Sequence, residues 1–204
     1  MTQFGLFDAP LALVDGERGR VTYYERFVSA DEAEAAFAAL RNGVDWHANR
    51  RVMYEREVDV PRLTAHFSLA ELVSGEAEGI DADGASAIAG LARRLSEALG
   101  APFNSVGLNF YRDGNDSVAP HNDRLGELVK GEPIALVSLG STRRMLIRSK
   151  TPGKPTLPID LEAGSLLVMS WSSQSHYTHG VAKTKAPVGG RISVAFRVCP
   201  PKSD

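Results

Sequence analysis

A single cysteine, Cys199, stands among the 204 residues. That excludes a disulfide framework and any centre built on several thiolates. Long apolar runs are missing too. Segments such as Pro133–Leu139 fall well short of the roughly 20 residues a membrane-spanning helix needs. The opening stretch MTQFGLFDAPLALVDGERG has neither a basic leader nor an extended apolar core. No export signal is expected from it, and the expected address is cytoplasmic. Charge of one sign is not in excess: 23 Lys and Arg against 25 Asp and Glu leave a net charge of −2. This excludes a basic nucleic-acid coating protein but leaves room for a local basic patch. Internal repeats and low-complexity tracts are absent. With 43% hydrophobic and 24% charged residues, the chain has the make-up of one globular domain.

The first hundred residues carry helical signals. Ser29 followed by Glu32 forms a capping box, in which serine accepts from the N3 amide and glutamate reaches back. Ala33, Ala36, Phe37 and Leu40 then recur at helical spacing, and Gly43 marks a stop. A second helix is expected from about Ala85 to Leu99, ended by Gly100 and Pro102. Between them Arg51–Phe67 reads as extended, with Pro61 confining it to an edge or a break. Beyond Pro102 short strand-like segments alternate with turns: Val106–Tyr111, Ile134–Leu139, Met145–Arg148, Ser165–Trp171 and Ile192–Val198. Such spacing points to an α+β fold: a jelly-roll of two sheets buttressed by the N-terminal helices.

Five histidines are present. His121 and Asp123 flank Asn122, and in extended backbone residues i and i+2 project to one face. An imidazole and a carboxylate can therefore grip one ion, with a third ligand from His179 or His176. Two His and one carboxylate leave positions open on an octahedral ion, an arrangement suited to non-haem Fe(II) and oxygen chemistry. By itself a His-X-Asp triplet also fits an ordinary surface loop. The C-terminal segment Arg191-Ile-Ser-Val-Ala-Phe-Arg197 adds weight. Alternation puts Ile192, Val194 and Phe196 on one side and both arginines on the other. Inward-facing guanidinium groups need anionic partners, and a dicarboxylate such as 2-oxoglutarate supplies them, with Arg197 forked onto its distal carboxylate.

Several blocks together resemble the AlkB family of Fe(II)/2-oxoglutarate-dependent dioxygenases. They are Phe103–Gly114, His121-Asn-Asp123, Val137–Arg143, Ala163–Met169, His176-Tyr-Thr-His179 and Arg191–Arg197, in order over about residues 100 to 198. Trp46 and Pro61–Ala65 extend a weaker match upstream. The resemblance implies a double-stranded β-helix core over 101–200, with a helical and substrate-lid region over 1–100, in one domain spanning 1–204. It implies His121, Asp123 and His179 as iron ligands, with His176 lining the cavity. Asn109 and Tyr111 would bond the cosubstrate, Arg197 its distal carboxylate, and Arg191 the end near the metal. Ser193 stands where the family often has Asn. The cofactors implied are Fe(II), 2-oxoglutarate and dioxygen.

The activity implied is oxidative dealkylation of N-alkylated bases in DNA or RNA, releasing formaldehyde, succinate and carbon dioxide. A monomer without membrane attachment is expected. Arg143, Arg144, Arg148, Lys150 and Lys154 lie within Ser141–Pro158, which holds no acidic residue. They form either a phosphate-binding patch or the charged edge of a hairpin. Arg50, Arg51 and Arg56 make a weaker cluster. Candidate substrate contacts are Trp46, His66, Phe67, Arg124, Arg143 and His176, with Met53 and Tyr54 as further pocket residues. Two positions depart from repair members. Arg124 and Leu125 stand where an acidic base-reading residue is common, and His66-Phe67 replaces an aromatic lid. They keep open the same chemistry on a protein side chain or small molecule. A non-catalytic β-sandwich binding module is the remaining alternative.

Overall fold

The computed structural model describes residues 10–53 and 56–201, without the side chains of Asn49 and of 51–59. Tyr54, and the side chains of Arg51, Met53 and Arg56, therefore lie outside the described residues. A hairpin of β1 (Leu11–Gly16) and β2 (Gly19–Tyr24) precedes α1 (Ala30–Gly43), whose start is the expected Ser29–Glu32 capping box. Strands β3 (His47–Met53) and β4 (Arg56–Ser68) follow, then α2 (Leu69–Ser74) and α3 (Ala82–Leu99). Helix α3 begins earlier than the periodicity suggests, because the Asp81 side chain accepts from Gly84 N at 2.8 Å. Gly84 in the first turn hides that start from a reading by apolar spacing.

The remaining strands are β5 (Ser105–Tyr111), β6 (Val118–His121), β7 (Ile134–Gly140), β8 (Arg143–Ser149), β9 (Thr156–Leu161), β10 (Leu166–Met169), β11 (Tyr177–Val181) and β12 (Arg191–Arg197). A short helix, α4 (Ser173–His176), precedes β11. Among the described residues they form an eight-stranded sheet, β1-β2-β10-β7-β12-β5-β4-β3, facing a four-stranded one, β6-β11-β8-β9. From β5 to β12 the chain winds back and forth between the two, which is the double-stranded β-helix expected. Pro61 sits where the β3–β4 register shifts, before the β4–β5 ladder begins at Leu63, so its missing N–H costs no rung. No helix among the described residues is long and apolar enough to cross a membrane.

Strand alternation builds two cores. Val106 and Leu108 of β5 and Ile192, Val194 and Phe196 of β12 pack against Leu40, Ile88 and Leu95 of the helices. Leu136, Met145, Ile147, Leu167 and Val181 fill the space between the sheets. Each fully buried aliphatic side chain contributes about 1.5–3 kcal/mol, so the helices clamp the outer face of the large sheet. That leaves its inner face to carry polar groups.

Candidate active site

Three side chains able to ligate a metal converge. The ligand atoms of His121, Asp123 and His179 lie within 4.8 Å of one another, the only such cluster among the described residues. His121 closes β6 and is paired directly with His179 on β11, ring centroids 4.5 Å apart. Gly180 permits this closeness: a Cβ there would meet Pro120 N and Val118 O at 2.9 Å, both backbone atoms of β6. His121 Nδ1 lies 3.0 Å from Ala119 O. Donation to that carbonyl leaves Nε2 as the free lone pair, the usual way a ligating imidazole is oriented. His176 lies exposed at the end of α4 and is not one of the three.

Asp123 lies beyond β6, held by side chains. Arg197 Nε donates to its Oδ2 at 2.8 Å, and Gln174 Oε1 accepts from its backbone N at 2.9 Å. Burial raises the Asp123 carboxyl, but the Arg197 guanidinium beside it prevails and holds it below the ordinary value. Gly107, two residues along β5 from Arg197's strand partner Ser105 and opposite Ala195, leaves space for that guanidinium; a Cβ there would lie 3.1 Å from Arg197 Nη1.

His179 is lowered to about 4, by burial first and by His121 second, against the pull of Asp123. It is therefore neutral and able to ligate at physiological pH. The ordinary value is 6.5, so between there and about 4 the unfolded chain binds a proton that the folded chain does not. Stability of the metal-free protein is thus full above about pH 6.5 and is lost as pH falls toward 4. Asp123, already depressed, contributes its own loss only below its ordinary 3.8. Urea unfolding at pH 7.5 and 5 is expected to show this loss in the wild type and a flatter profile in His179→Leu; equal slopes would contradict it.

Along β12, the register pairs Arg191 with Tyr111 and Ser193 with Asn109. Arg191 is fully buried and donates through Nε to Ser138 Oγ at 2.9 Å. Its Nη1 and Nη2 have no hydrogen-bond partner among the described residues. The guanidinium lies over the Tyr111 ring, 5.2 Å from the centroid, and burial lowers its pKa. Burial raises Tyr111, opposed by Arg191, Arg62 and Arg143. Asn109 Oδ1 accepts from Arg62 Nε at 2.7 Å, so the amide keeps its NH₂ as the group it can offer elsewhere. A buried guanidinium with two unsatisfied nitrogens, near an amide donor and a phenol, has the donor set to receive a carboxylate.

The family model described as 2OG-Fe(II) oxygenase superfamily matches residues 20–197. The chain belongs to that superfamily. The relatives it matches include AlkB homologues. The "Alpha-ketoglutarate-dependent dioxygenase alkB homolog 3" of Rattus norvegicus is 30% identical over 191 residues, 89% of this chain and 65% of that protein. The "DNA oxidative demethylase ALKBH2" of Bos taurus is 35% identical over 111 residues, 51% of this chain and 40% of that one. This AlkB-like chain thus spans about two thirds of the first relative's length and less of the second's. In fold it is similar to the solved structure of OsALKBH1, with a TM-score of 0.55 at 15% identity, covering 87% of this chain and 96% of that one. The superfamily's cofactors are Fe(II), 2-oxoglutarate and dioxygen, and the two-His, one-carboxylate cluster is a donor set that fits Fe(II).

Several expected contacts of this family member belong elsewhere. Trp46 packs on Phe110, centroids 5.2 Å apart, and Phe67 is buried with the helices; both lie on the outer face of the large sheet, away from the metal cluster. Alternation along β4 dictates this, because Phe67 shares its parity with Leu63 and Ala65. His66, of opposite parity, stands exposed with Nε2 2.9 Å from Ser105 Oγ. Arg124 is exposed and paired with Glu127. Arg143 is buried, its guanidinium donating to the carbonyls of Asp113, Asp116 and Ala182 at 2.7–2.8 Å. It ties two loops together and cannot reach a phosphate. Arg144 forks onto Asp160 across the β8–β9 hairpin, and Lys150 Nζ donates to Gln174 O. Arg148 and Lys154 remain exposed.

The two arginines of β12 differ in their contacts: Arg197 engages Asp123, while Arg191 holds the unsatisfied nitrogens. Sequence reasoning missed Arg62, Ser138 and Gln174. Arg62 was findable, since Arg62, Thr64 and His66 alternate with Leu63, Ala65 and Phe67.

Proposed function

We propose that the chain is an Fe(II)/2-oxoglutarate-dependent oxidative dealkylase of N-alkylated nucleobases in DNA or RNA, acting in repair of alkylation damage. The observation that carries this is the convergence of His121, Asp123 and His179, with the unsatisfied Arg191 guanidinium on the same strand as the Arg197 that grips Asp123. His121, Asp123 and His179 hold the iron. Arg191 takes the distal carboxylate of 2-oxoglutarate in a bidentate pair, with Tyr111 and the Asn109 amide beside it. Arg197 keeps Asp123 ionised and aimed, and Ser193 lies on the same strand, opposite Asn109. When bound, iron, 2-oxoglutarate and dioxygen supply the power to hydroxylate a C–H bond, yielding succinate and carbon dioxide. An N-methyl group so hydroxylated leaves as formaldehyde. The protein's own part is to orient these partners and to exclude water.

The chain works as one catalytic domain, with β3–β4 beside β5 as the substrate lid and His66 as the lid residue facing the target. The name of the relative called a DNA oxidative demethylase supports a nucleic-acid substrate. Arg124, the residue that favoured an anionic protein or small-molecule target, is already paired with Glu127. The test is formaldehyde release with Fe(II), ascorbate and 2-oxoglutarate over methylated DNA, methylated RNA and a panel of methylated peptides and amines. Release from the oligonucleotides is expected. Release confined to the panel would move the substrate class, and absence of 2-oxoglutarate turnover would leave only a binding module.

The exposed pair Arg148 and Lys154 contacts phosphate. Exchanging both for Gln is expected to weaken binding to oligonucleotides of any sequence. It should also reduce the slope of log K against log salt by about 1.5–2. An unchanged slope in fluorescence anisotropy would place the phosphates on another face.

A further inference from the structure

We infer that Gln174 is a positioning residue for the metal site, setting where the Asp123 ligand stands by holding its main chain. This rests on the reading of His121, Asp123 and His179 as the iron ligands. Two of those ligands need no such help, since His121 and His179 are neighbours across the β6–β11 ladder. Asp123 is outside every strand, between the end of β6 and a 3-10 turn at Leu125–Glu127. Its backbone N donates 2.9 Å to Gln174 Oε1 instead, over a gap of 51 positions in the chain.

The amide that accepts this bond is itself locked. Gln174 is 2% exposed. Ser173 Oγ donates to Ser170 O at 2.7 Å, so it is free to accept from Gln174 Nε2 at 3.2 Å. Met169 Sδ lies 3.8 Å from the same nitrogen. With its NH₂ end committed to two acceptors, the amide can turn only its oxygen toward Asp123. Helix α4 is pinned in turn: Lys150 Nζ donates to Gln174 O and Lys150 N to His176 O. Backbone from β2 packs on Ser173, where Gly19 leaves no room for a Cβ. A rigid acceptor therefore fixes the main chain of Asp123 while Arg197 fixes its carboxylate. Groups that hold a metal ligand in this way commonly change affinity by about 10–100-fold when removed.

The experiment is Mn(II) binding by the wild-type protein, Gln174→Met and Gln174→Glu, read by the loss of the free-ion EPR signal. Methionine keeps the length and packing against Met169 but removes the acceptor; glutamate, as the neutral acid that burial favours, keeps an acceptor oxygen and one donor for Ser173 Oγ. Gln174→Met is expected to bind Mn(II) about 10–100-fold more weakly, and Gln174→Glu to stay within about threefold of wild type, a rescue that packing alone does not give. A folded Gln174→Met that binds as wild type overturns the inference. Amide exchange of Asp123 in the wild type needs no substitution and covers a Gln174→Met that does not fold. Slow exchange is expected, and exchange at the rate of an open loop overturns it. A wild type that takes up no Mn(II) refutes the iron-site reading itself, and the exchange rate still decides whether Gln174 holds this backbone.

Discussion

Replacing Arg191 by Met is expected to raise the dissociation constant for 2-oxoglutarate by about 10²–10⁴-fold, because losing one partner of a buried charge pair costs about 3–5 kcal/mol. The same change is expected to stabilise the protein in the absence of cosubstrate. In that state the guanidinium is completely buried with Nη1 and Nη2 unsatisfied, and exchanging such a cation for an apolar side chain of similar length removes its desolvation cost. The change gives up the bond to Ser138 Oγ, worth about 1.5–3 kcal/mol, and the contact with the Tyr111 ring and hydroxyl. A rise of a few degrees in Tm together with a collapse in binding is the signature of a group kept for its ligand. Calorimetric titration of 2-oxoglutarate with Mn(II) in place, and thermal unfolding without either, measure the two halves. Arg191→Lys should not restore binding, since a point charge does not reproduce the fork. An unchanged affinity in Arg191→Met, or a fall in stability, would return the distal carboxylate to Arg197.

What could be read in advance was whatever local alternation decides. Ile192, Val194 and Phe196 on one side of β12, with Arg191 and Arg197 on the other, follow from a period of two, and the capping box follows from the three-residue spacing of Ser29 and Glu32. The roles of the two arginines did not follow. They depend on Tyr111 lying opposite Arg191 in the β5–β12 register, and on the loop after β6 bringing Asp123 to Arg197. Arg143 misled for a related reason. Its parity with Met145 and Ile147 pointed inward, but an arginine in a basic tract reads as surface until three carbonyls from distant loops are seen to meet it. Asp160, the partner of Arg144, lies just past the tract whose lack of acid suggested a phosphate patch. Strand β9 went unseen because Pro158 argues against a strand; it is tolerated on the outermost strand of the small sheet. Gln174 sits in a polar run of serines with no periodic signal at all.

Removing the carboxylate of Asp123 by Ala substitution is expected to abolish metal uptake and with it succinate formation, since two imidazoles remain and the Arg197 cation, 25% exposed, is left facing them unpaired. The Arg197→Met variant tests the finer point. Burial alone raises the Asp123 carboxyl, and Arg197 is the largest influence lowering it. Without Arg197 that carboxyl titrates at higher pH, and a protonated carboxyl does not ligate. Metal affinity in Arg197→Met should therefore fall more at pH 5.5 than at pH 8 relative to wild type, whereas Asp123→Ala should be equally deficient at both. The 2-oxoglutarate affinity of Arg197→Met, measured at saturating Mn(II) and pH 8, should drop less than that of Arg191→Met. If Arg197→Met instead loses metal equally at the two pH values, the guanidinium acts by holding the carboxylate's direction alone. A loss of 2-oxoglutarate exceeding that of Arg191→Met would show that the near-metal and distal assignments are still interchanged.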